Sequence, residues 1–307
     1  MSNNFEIYYA NLLLDGALGH YGFHLEPRIR DTKLRTFFPG TAWLEEGYAF
    51  ATFDPLTLKV GKIYSRLGLL WDSSFYGNIQ SFDGLKLDPD YGFSLEGKVG
   101  ASWGASWWAQ FFPIDGRTNI SGEGRDTISI PGAFRRNQAI ARIEPFVQLG
   151  KPTTLKLGLS AEYLQADLPD GARNVYRISG DGTLAIGKLN LYGEYTRQIG
   201  QTVTDFPYAG TPATGTTPAM AGRASALNHY ILLGIEYTFA GLTLHYNFSY
   251  GNYSDVSVTE WIQLPGLAYA INGNLSVLAD YVLWKRMAPE GTSRVDDSIN
   301  LSVSAHL

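Results

Sequence analysis

Four aspartates and a lysine crowd the stretch 67–91: Asp72, Asp83, Lys86, Asp88 and Asp90. Carboxylates gathered at a narrow point create the field that selects ions. The same residues, in Asp-Gly and Asp-Pro steps, also cap turns. Five histidines, His20, His24, His229, His245 and His306, are the other candidates for chemistry, and no two sit at metal-ligand spacing. His245 and Ser249 fall on one face of a single segment and are the one candidate pair for a hydrolase, which would also need an acid to orient the imidazole. A His flanked by Ser and Asn is equally what a wet interior carries. The Gly-x-Gly steps at 122–124 and 180–182 do not open a helix after a strand, so they are not phosphate loops. With no cysteine, thiol nucleophiles, disulfides and Cys-metal sites are all absent. The reading expects no enzyme, no cofactor and no metal.

The segments that must position these residues share one pattern. Leu155, Leu157, Leu159, Ala161 and Tyr163 alternate with Lys156, Gly158, Ser160 and Glu162. Leu242 to Tyr250 and Ile299 to Leu307 alternate in the same way. A period of two is a strand with one apolar and one polar face. Strands are expected at 5–14, 20–30, 42–53, 56–66, 92–101, 106–114, 138–149, 154–165, 174–186, 189–198, 229–239, 242–252, 259–271, 275–286 and 298–307. Helical periodicity with caps is missing throughout. Short connections (Asp54-Pro55, Ser102–Ala105, Gly150–Pro152, Gly187-Lys188, Ala240-Gly241, Gly273-Asn274) alternate with long ones (31–41, 67–91, 115–137, 199–228, 287–297). The expected fold is all-β: one domain over 1–307, a transmembrane antiparallel β-barrel of about sixteen strands, with fourteen as the alternative. Short periplasmic turns and long extracellular loops are the signature of such barrels. The visible count is odd, where single-chain bacterial barrels have even counts.

Composition agrees. The chain has 307 residues, 14% aromatic and 17% charged, with 19 tyrosines that suit interfacial girdles. A net charge of −5 speaks against a nucleic-acid partner. No apolar run approaches the ~18 residues of a membrane helix. No secretory leader opens the sequence, so a mature or trimmed form is expected, with the bacterial outer membrane as its location.

Placing lipid on the apolar side assigns the faces. Glu26, Arg28, Arg30, Glu96, Lys98, Arg142, Glu144, Lys156, Glu162, Arg177 and Asp181 face inward as pore-lining residues, followed by Glu194, Glu236 and Asp280. A Lys or Arg on the lipid face costs about 2–4 kcal/mol at mid-membrane, which enforces the parity. The interior is expected to be charged with both signs, acidic in excess, and wet. Parity fails once: Lys62 shares a face with Leu56, Leu58 and Val60, so a bulge or a covering subunit is expected there. The aromatic-rich stretch 67–91 is expected to fold inward as a constriction.

The succession Phe23-His-Leu-Glu-Pro27, Leu44-Glu-Glu-Gly-Tyr48, Leu58-Lys-Val-Gly-Lys62 and Phe82-Asp83-Gly84 resembles outer-membrane porins of the phosphate-selective type. The resemblance covers roughly the first hundred residues. It implies a sixteen-stranded homotrimeric channel whose third loop folds inside. The chain departs from the anion-selective members because no ladder of Lys or Arg lines one wall. The final strand is similar to a barrel assembly signal, ending in Leu307 where Phe is usual. The expected function is therefore a porin passing small hydrophilic solutes and ions with a weak cation preference, in contact with lipid and lipopolysaccharide. The rival readings are an outer-membrane hydrolase, a closed structural or adhesive barrel, and a soluble carbohydrate-binding β-protein.

Overall fold

The computed structural model describes residues 10–29, 42–69, 89–114, 134–168, 171–200, 227–253, 258–272, 275–287 and 293–305. Nearly all of them are strand. In chain order these are β1 (Ala10–Asn11), β2 (Leu14–Leu18), β3 (Tyr21–Ile29), β4 (Ala42–Phe53), β5 (Leu56–Ile63), β6 (Asp90–Gly100), β7 (Trp103–Ile114) and β8 (Phe134–Gln148). The second half comprises β9 (Thr153–Leu168), β10 (Gly171–Ile186), β11 (Leu189–Gly200), β12 (Leu227–Phe239), β13 (Leu242–Tyr253), β14 (Val258–Asn272), β15 (Leu275–Met287) and β16 (Ser293–Ala305).

The strands form one antiparallel sheet, rolled as a β-barrel. The fourteen strands from β3 to β16 each pair with the next in sequence, and β1 and β2 both pair with β3 as two pieces of one arm. Fourteen is the alternative count that the sequence carries; of the expected first strand, 5–14, residues 5–9 lie outside the described residues, and 10–14 span β1 and the start of β2. Among the described residues β16 pairs only with β15, and β1 and β2 only with β3.

The turns are tight at one end of the barrel. Gly19, Gly100, Gly150, Gly187 and Gly241 all have positive φ there, which L-residues with a Cβ avoid. The β6–β7 turn is tighter than expected: only residues 101–102 lie outside strands, because Gly100 pairs directly with Gly104. The long connections all fall at the other end.

The outer face is apolar and exposed. Leu157, Leu159, Ile178, Ile235, Leu244 and Leu267 are each more than two-fifths open. In water this surface would be untenable; facing lipid it is favourable, and the ladder satisfies the backbone groups that lipid cannot. Among the described residues no helix is long and apolar enough to cross a membrane, which leaves a crossing by strands open.

Lys62 does not follow from a bulge in its own strand. The ladders of β5 with β4 and β6 run without a register shift. The irregularity lies one strand over, where Glu26 pairs with Glu46 but Pro27 pairs with Leu44, so Glu45 is the extra residue. Lys62 is 2% exposed and its Nζ donates to the Leu44 carbonyl at 2.7 Å. A buried ammonium held by a backbone carbonyl costs far less than one facing lipid bare.

Candidate functional site

The inner wall is built from the polar parity of every strand. Glu26, Arg142, Glu162 and Arg177 are buried there, Arg28, Glu96, Glu144 and Asp181 are partly covered, and Lys98 and Lys156 are exposed. Arg30 lies outside the described residues, as do Asp72, Asp83, Lys86 and Asp88. Asp90, the first residue of β6, is buried and pairs with Ile63.

The charges are organised as bridges. The Arg142 guanidinium forks onto Asp181 at 2.5 and 2.8 Å, and also donates to Glu144 and Ser160, each at 2.9 Å. Arg177 donates to Glu162 at 2.9 Å and to Gln198 at 3.0 Å. Lys59 reaches Glu96 at 2.7 Å, and the Trp108 indole donates to the same carboxylate. His245 lies 2.6 Å from Asp280. Such pairs satisfy buried charges, and breaking one partner strands the other. Lys98 and Lys156 differ. Lys98 rests over the Phe146 ring, and Lys156 sits 3.8 Å from Glu144 with half its side chain open.

The chain leaves the wall after Ile63, where the sequence reading extends the strand to 66. Tyr64 donates its hydroxyl to Glu45 at 2.6 Å. Burial, then the neighbouring Glu45 carboxylate, holds that phenol well above its ordinary range, so it stays a donor. The Arg66 amide donates to Gln110, whose amide donates to the Tyr64 carbonyl. The Gly68 amide donates to the Ser160 hydroxyl on β9 at 3.0 Å, and the Leu69 amide donates to Glu194 on β11 at 2.9 Å. Residues 64–69 thus run from β5 to the wall formed by β9 and β11, and Leu67 and Leu69 are buried. Glu194 is a prepared acceptor: the hydroxyls of Ser179 and Thr196 also donate to it, at 3.1 and 2.6 Å. Gly68 has φ +66°, and a Cβ there would overlap the Glu194 carboxylate.

Two features depart from the expected wet interior. First, the inner wall carries apolar side chains near the long-connection end. Ile63, Phe112 and Ile140 form a buried cluster with Tyr48, and Ile262, Leu264 and Val282 form another with Trp284. Leu164, Val175 and Leu232 are buried on the same face. Second, wall residues that the parity rule leaves to water are closed off: Ser94, Ser160, Ser179 and Asn247 are at most 1% exposed. Inward residues that sequence reasoning missed are Glu45, Glu46, Lys59 and Gln110. The first two were hidden by the bulge, which turns adjacent residues to one side.

The candidate Ser–His pair does not form. His245 and Ser249 are four residues apart on one strand, about 13 Å at strand rise, with Asn247 between them and the imidazole engaged by Asp280. Among the described residues there is no group of His, Asp and Glu that could hold a metal ion.

No protein-family model matches the chain, and neither does any curated protein. Solved structures do match. DcaP, an outer membrane channel of Acinetobacter baumannii, aligns at 12% identity and TM-score 0.61, covering 97% of this chain and 84% of that one. An anion-selective porin from Comamonas acidovorans aligns at 12% identity and TM-score 0.56, covering 95% and 87%. OprB of Pseudomonas putida aligns at 12% identity and TM-score 0.56, covering 93% and 82%. What is shared at this identity is the fold, a β-barrel like those of these channels.

Proposed function

We propose that this barrel is an outer-membrane porin, a passive channel for small hydrophilic solutes and ions, narrowed by residues 67–91. The observation that carries the reading is the pair of amide bonds from Gly68 and Leu69 to Ser160 and Glu194, which fixes the start of that segment against the inner wall on the far side of several strands. A porin fold whose segment after β5 enters the lumen is a channel with a built constriction. The mechanism has no covalent step: pore radius and the electrostatic barrier set the flux.

A weak cation preference is proposed from the acidic excess of the inward parity and from Asp72, Asp83, Asp88 and Asp90 outnumbering Lys86 in the narrowing segment. Arg142, Glu144, Asp181, Lys98 and Lys156 are the proposed pore-lining charges toward the short-turn end. The phosphate-selective type is not favoured, because Arg28, Arg142 and Arg177 on the inner wall each have a carboxylate partner. A homotrimer in contact with outer-leaflet lipopolysaccharide is proposed from the family resemblance.

A second reading, a closed structural or adhesive barrel, draws support from the buried wall residues and the inward apolar clusters. Single-channel conductance of the purified protein in a planar bilayer under a salt gradient separates the two. Steps grouped in threes with a cation-sign reversal potential support the trimeric channel. Absence of conductance from folded protein overturns it in favour of the closed barrel, and a strong anion preference overturns the charge assignment.

A further inference from the structure

We infer that the niche between the inner wall of β4–β7 and residues 64–66 holds small zwitterionic solutes, with Arg66 taking the carboxylate and Glu46 the ammonium. The inference rests on the channel reading and names a solute class for it.

Arg66 is the one charge that the described part of the crossing segment carries into the lumen. Its backbone is clamped by Gln110, which accepts from the Arg66 amide at 2.8 Å and donates to the Tyr64 carbonyl at 3.0 Å. Its guanidinium lies over the Trp108 ring, 5.7 Å from the centroid. That indole is itself fixed, donating to Glu96 at 3.1 Å. The guanidinium makes no hydrogen bond and no ion pair with any described residue. Arg142 shares the same indole at 5.9 Å but is fully engaged by Asp181, Glu144 and Ser160. Arg66 is therefore a partly open cation with its fork of N–H donors unused, the geometry that recognises a carboxylate.

Glu46 is its opposite. The bulge at Glu45 places it on the inner wall of β4. Its Oε1 accepts only the Tyr64 amide, at a long 3.4 Å, and its Oε2 has only the His24 Nε2, at 3.8 Å. His24 is held on its other side by Asp15 at 2.8 Å and stacks on Tyr48. Lys59, the neighbouring cation, is engaged by Glu96 at 2.7 Å. The charge of Arg66 reaches Glu46 and Tyr48, yet Arg66 and Glu46 form no ion pair. Two opposite charges that stand close without collapsing onto each other are held apart by their frames: Gln110 and Trp108 for the cation, Tyr64 and His24 for the anion.

A solute that carries an ammonium and a carboxylate a few atoms apart bridges this gap and satisfies both groups. A plain anion at Arg66 meets the Glu46 charge beside it, and a plain cation at Glu46 meets Arg66. Each charge thus recognises one end of a zwitterion and repels the wrong solute, which is how specificity is built. The side chains of His24, Glu46, Lys59 and Glu96 are 16–19% open, so the niche is narrow but reachable from the lumen. Binding that depends on two rim-exposed charges stays weak enough for the solute to leave, as conduction requires.

The test is saturation-transfer NMR of the full chain in detergent micelles, titrated with L-alanine, with its uncharged isomer lactamide and with acetate. The wild type is expected to bind L-alanine about tenfold more tightly than either, the worth of one charged hydrogen bond. Arg66→Gln and Glu46→Gln should each lower L-alanine binding about tenfold on the same ground. Arg66→Lys, which keeps the charge but not the fork, should fall between. Glu46→Gln keeps an acceptor for the Tyr64 amide and removes the repulsion, so it should strengthen acetate binding, a gain that mere structural damage cannot produce. Lys151→Gln, in the short turn between β8 and β9, is the control, and heat-modifiable gel migration reports folding. Equal binding of the three solutes by the wild type overturns the proposal. So does a Glu46→Gln protein with unchanged affinity for L-alanine and for acetate, which would leave Arg66 as a plain anion site. A wild type that conducts ions but does not prefer L-alanine keeps the channel reading and removes this one. A non-conducting wild type that binds L-alanine sinks the channel reading and leaves the niche as a binding site.

Discussion

His245 on β13 and Asp280 on β15 meet at 2.6 Å although a whole strand separates them. The strand between presents Gly266, which pairs with both residues in the two ladders. A Cβ on Gly266 would overlap both the imidazole and the carboxylate. The device recurs. Tyr192 of β11 donates to Asn247 of β13 across Gly234 of β12, and Arg142 of β8 reaches Asp181 of β10 across Gly158 of β9. Each of these three glycines is a saddle over which second-neighbour strands are tied. These ties add side-chain bonds between strands that share no ladder, and they give a role to inward glycines that the strand pattern leaves without one.

Gly266→Ala is expected to push His245 and Asp280 apart and destabilise the barrel by about 1–3 kcal/mol, the usual range for overpacking a filled site. Gly180→Ala is the control, because a Cβ there meets nothing within 4 Å; it should fall within about 0.5 kcal/mol of wild type. Urea unfolding in detergent, followed by tryptophan fluorescence, reads both. Equal midpoints for the two variants would remove the saddle argument.

Gly68→Ala places a Cβ against the Glu194 carboxylate in a left-handed backbone position, which costs about 1–2 kcal/mol for a residue with a Cβ. The segment should then detach from β9 and β11. Single-channel recordings are expected to show larger and noisier steps, with Glu194→Ala giving the same phenotype and Glu194→Gln, which keeps an acceptor, a milder one. Wild-type traces from Gly68→Ala would show that these bonds do not hold the constriction.

Deleting 72–88 should raise conductance further, since it removes the body of the proposed constriction while leaving the Gly68 and Leu69 anchors. Unchanged conductance would take this segment out of the narrow point.

Arg142→Ala leaves Asp181 and Glu144 without the guanidinium that both accept from. Removing one partner of a buried bridge costs about 3–5 kcal/mol. In bilayers the uncovered carboxylates should shift the reversal potential toward cations. A shift toward anions would mean that Arg142 does not face the conducting path.

Leu159→Arg tests the outer face. Leu159 is 58% exposed near the middle of β9, and an arginine there is expected to cost about 2–4 kcal/mol against lipid. Folding yield into lipid vesicles should drop, while Lys156→Arg on the opposite parity leaves it unchanged. A Leu159→Arg protein that folds in vesicles as well as wild type would mean that this face does not meet lipid.

The alternation of Leu155 to Tyr163, and its repeats along the chain, determined that the fold is an antiparallel barrel and which side of each strand faces lipid. The reason is local: side-chain direction in a strand has a period of two, and charge on the lipid side is costly wherever it falls. Strand ends were legible within a few residues because turn glycines mark them. What a period of two cannot carry is what lies across the lumen. Leu164, Val175 and Leu264 sit on the inward parity yet are buried, because an inner wall is wet or dry according to what covers it. Glu45 joins the inner wall through a single-residue bulge, which shifts parity without altering composition. The tie of Leu69 to Glu194 joins residues 125 apart in sequence. Only the rolled geometry of the wall brings such groups within hydrogen-bond reach, so the tertiary structure alone decided where the chain leaves the wall for its own interior.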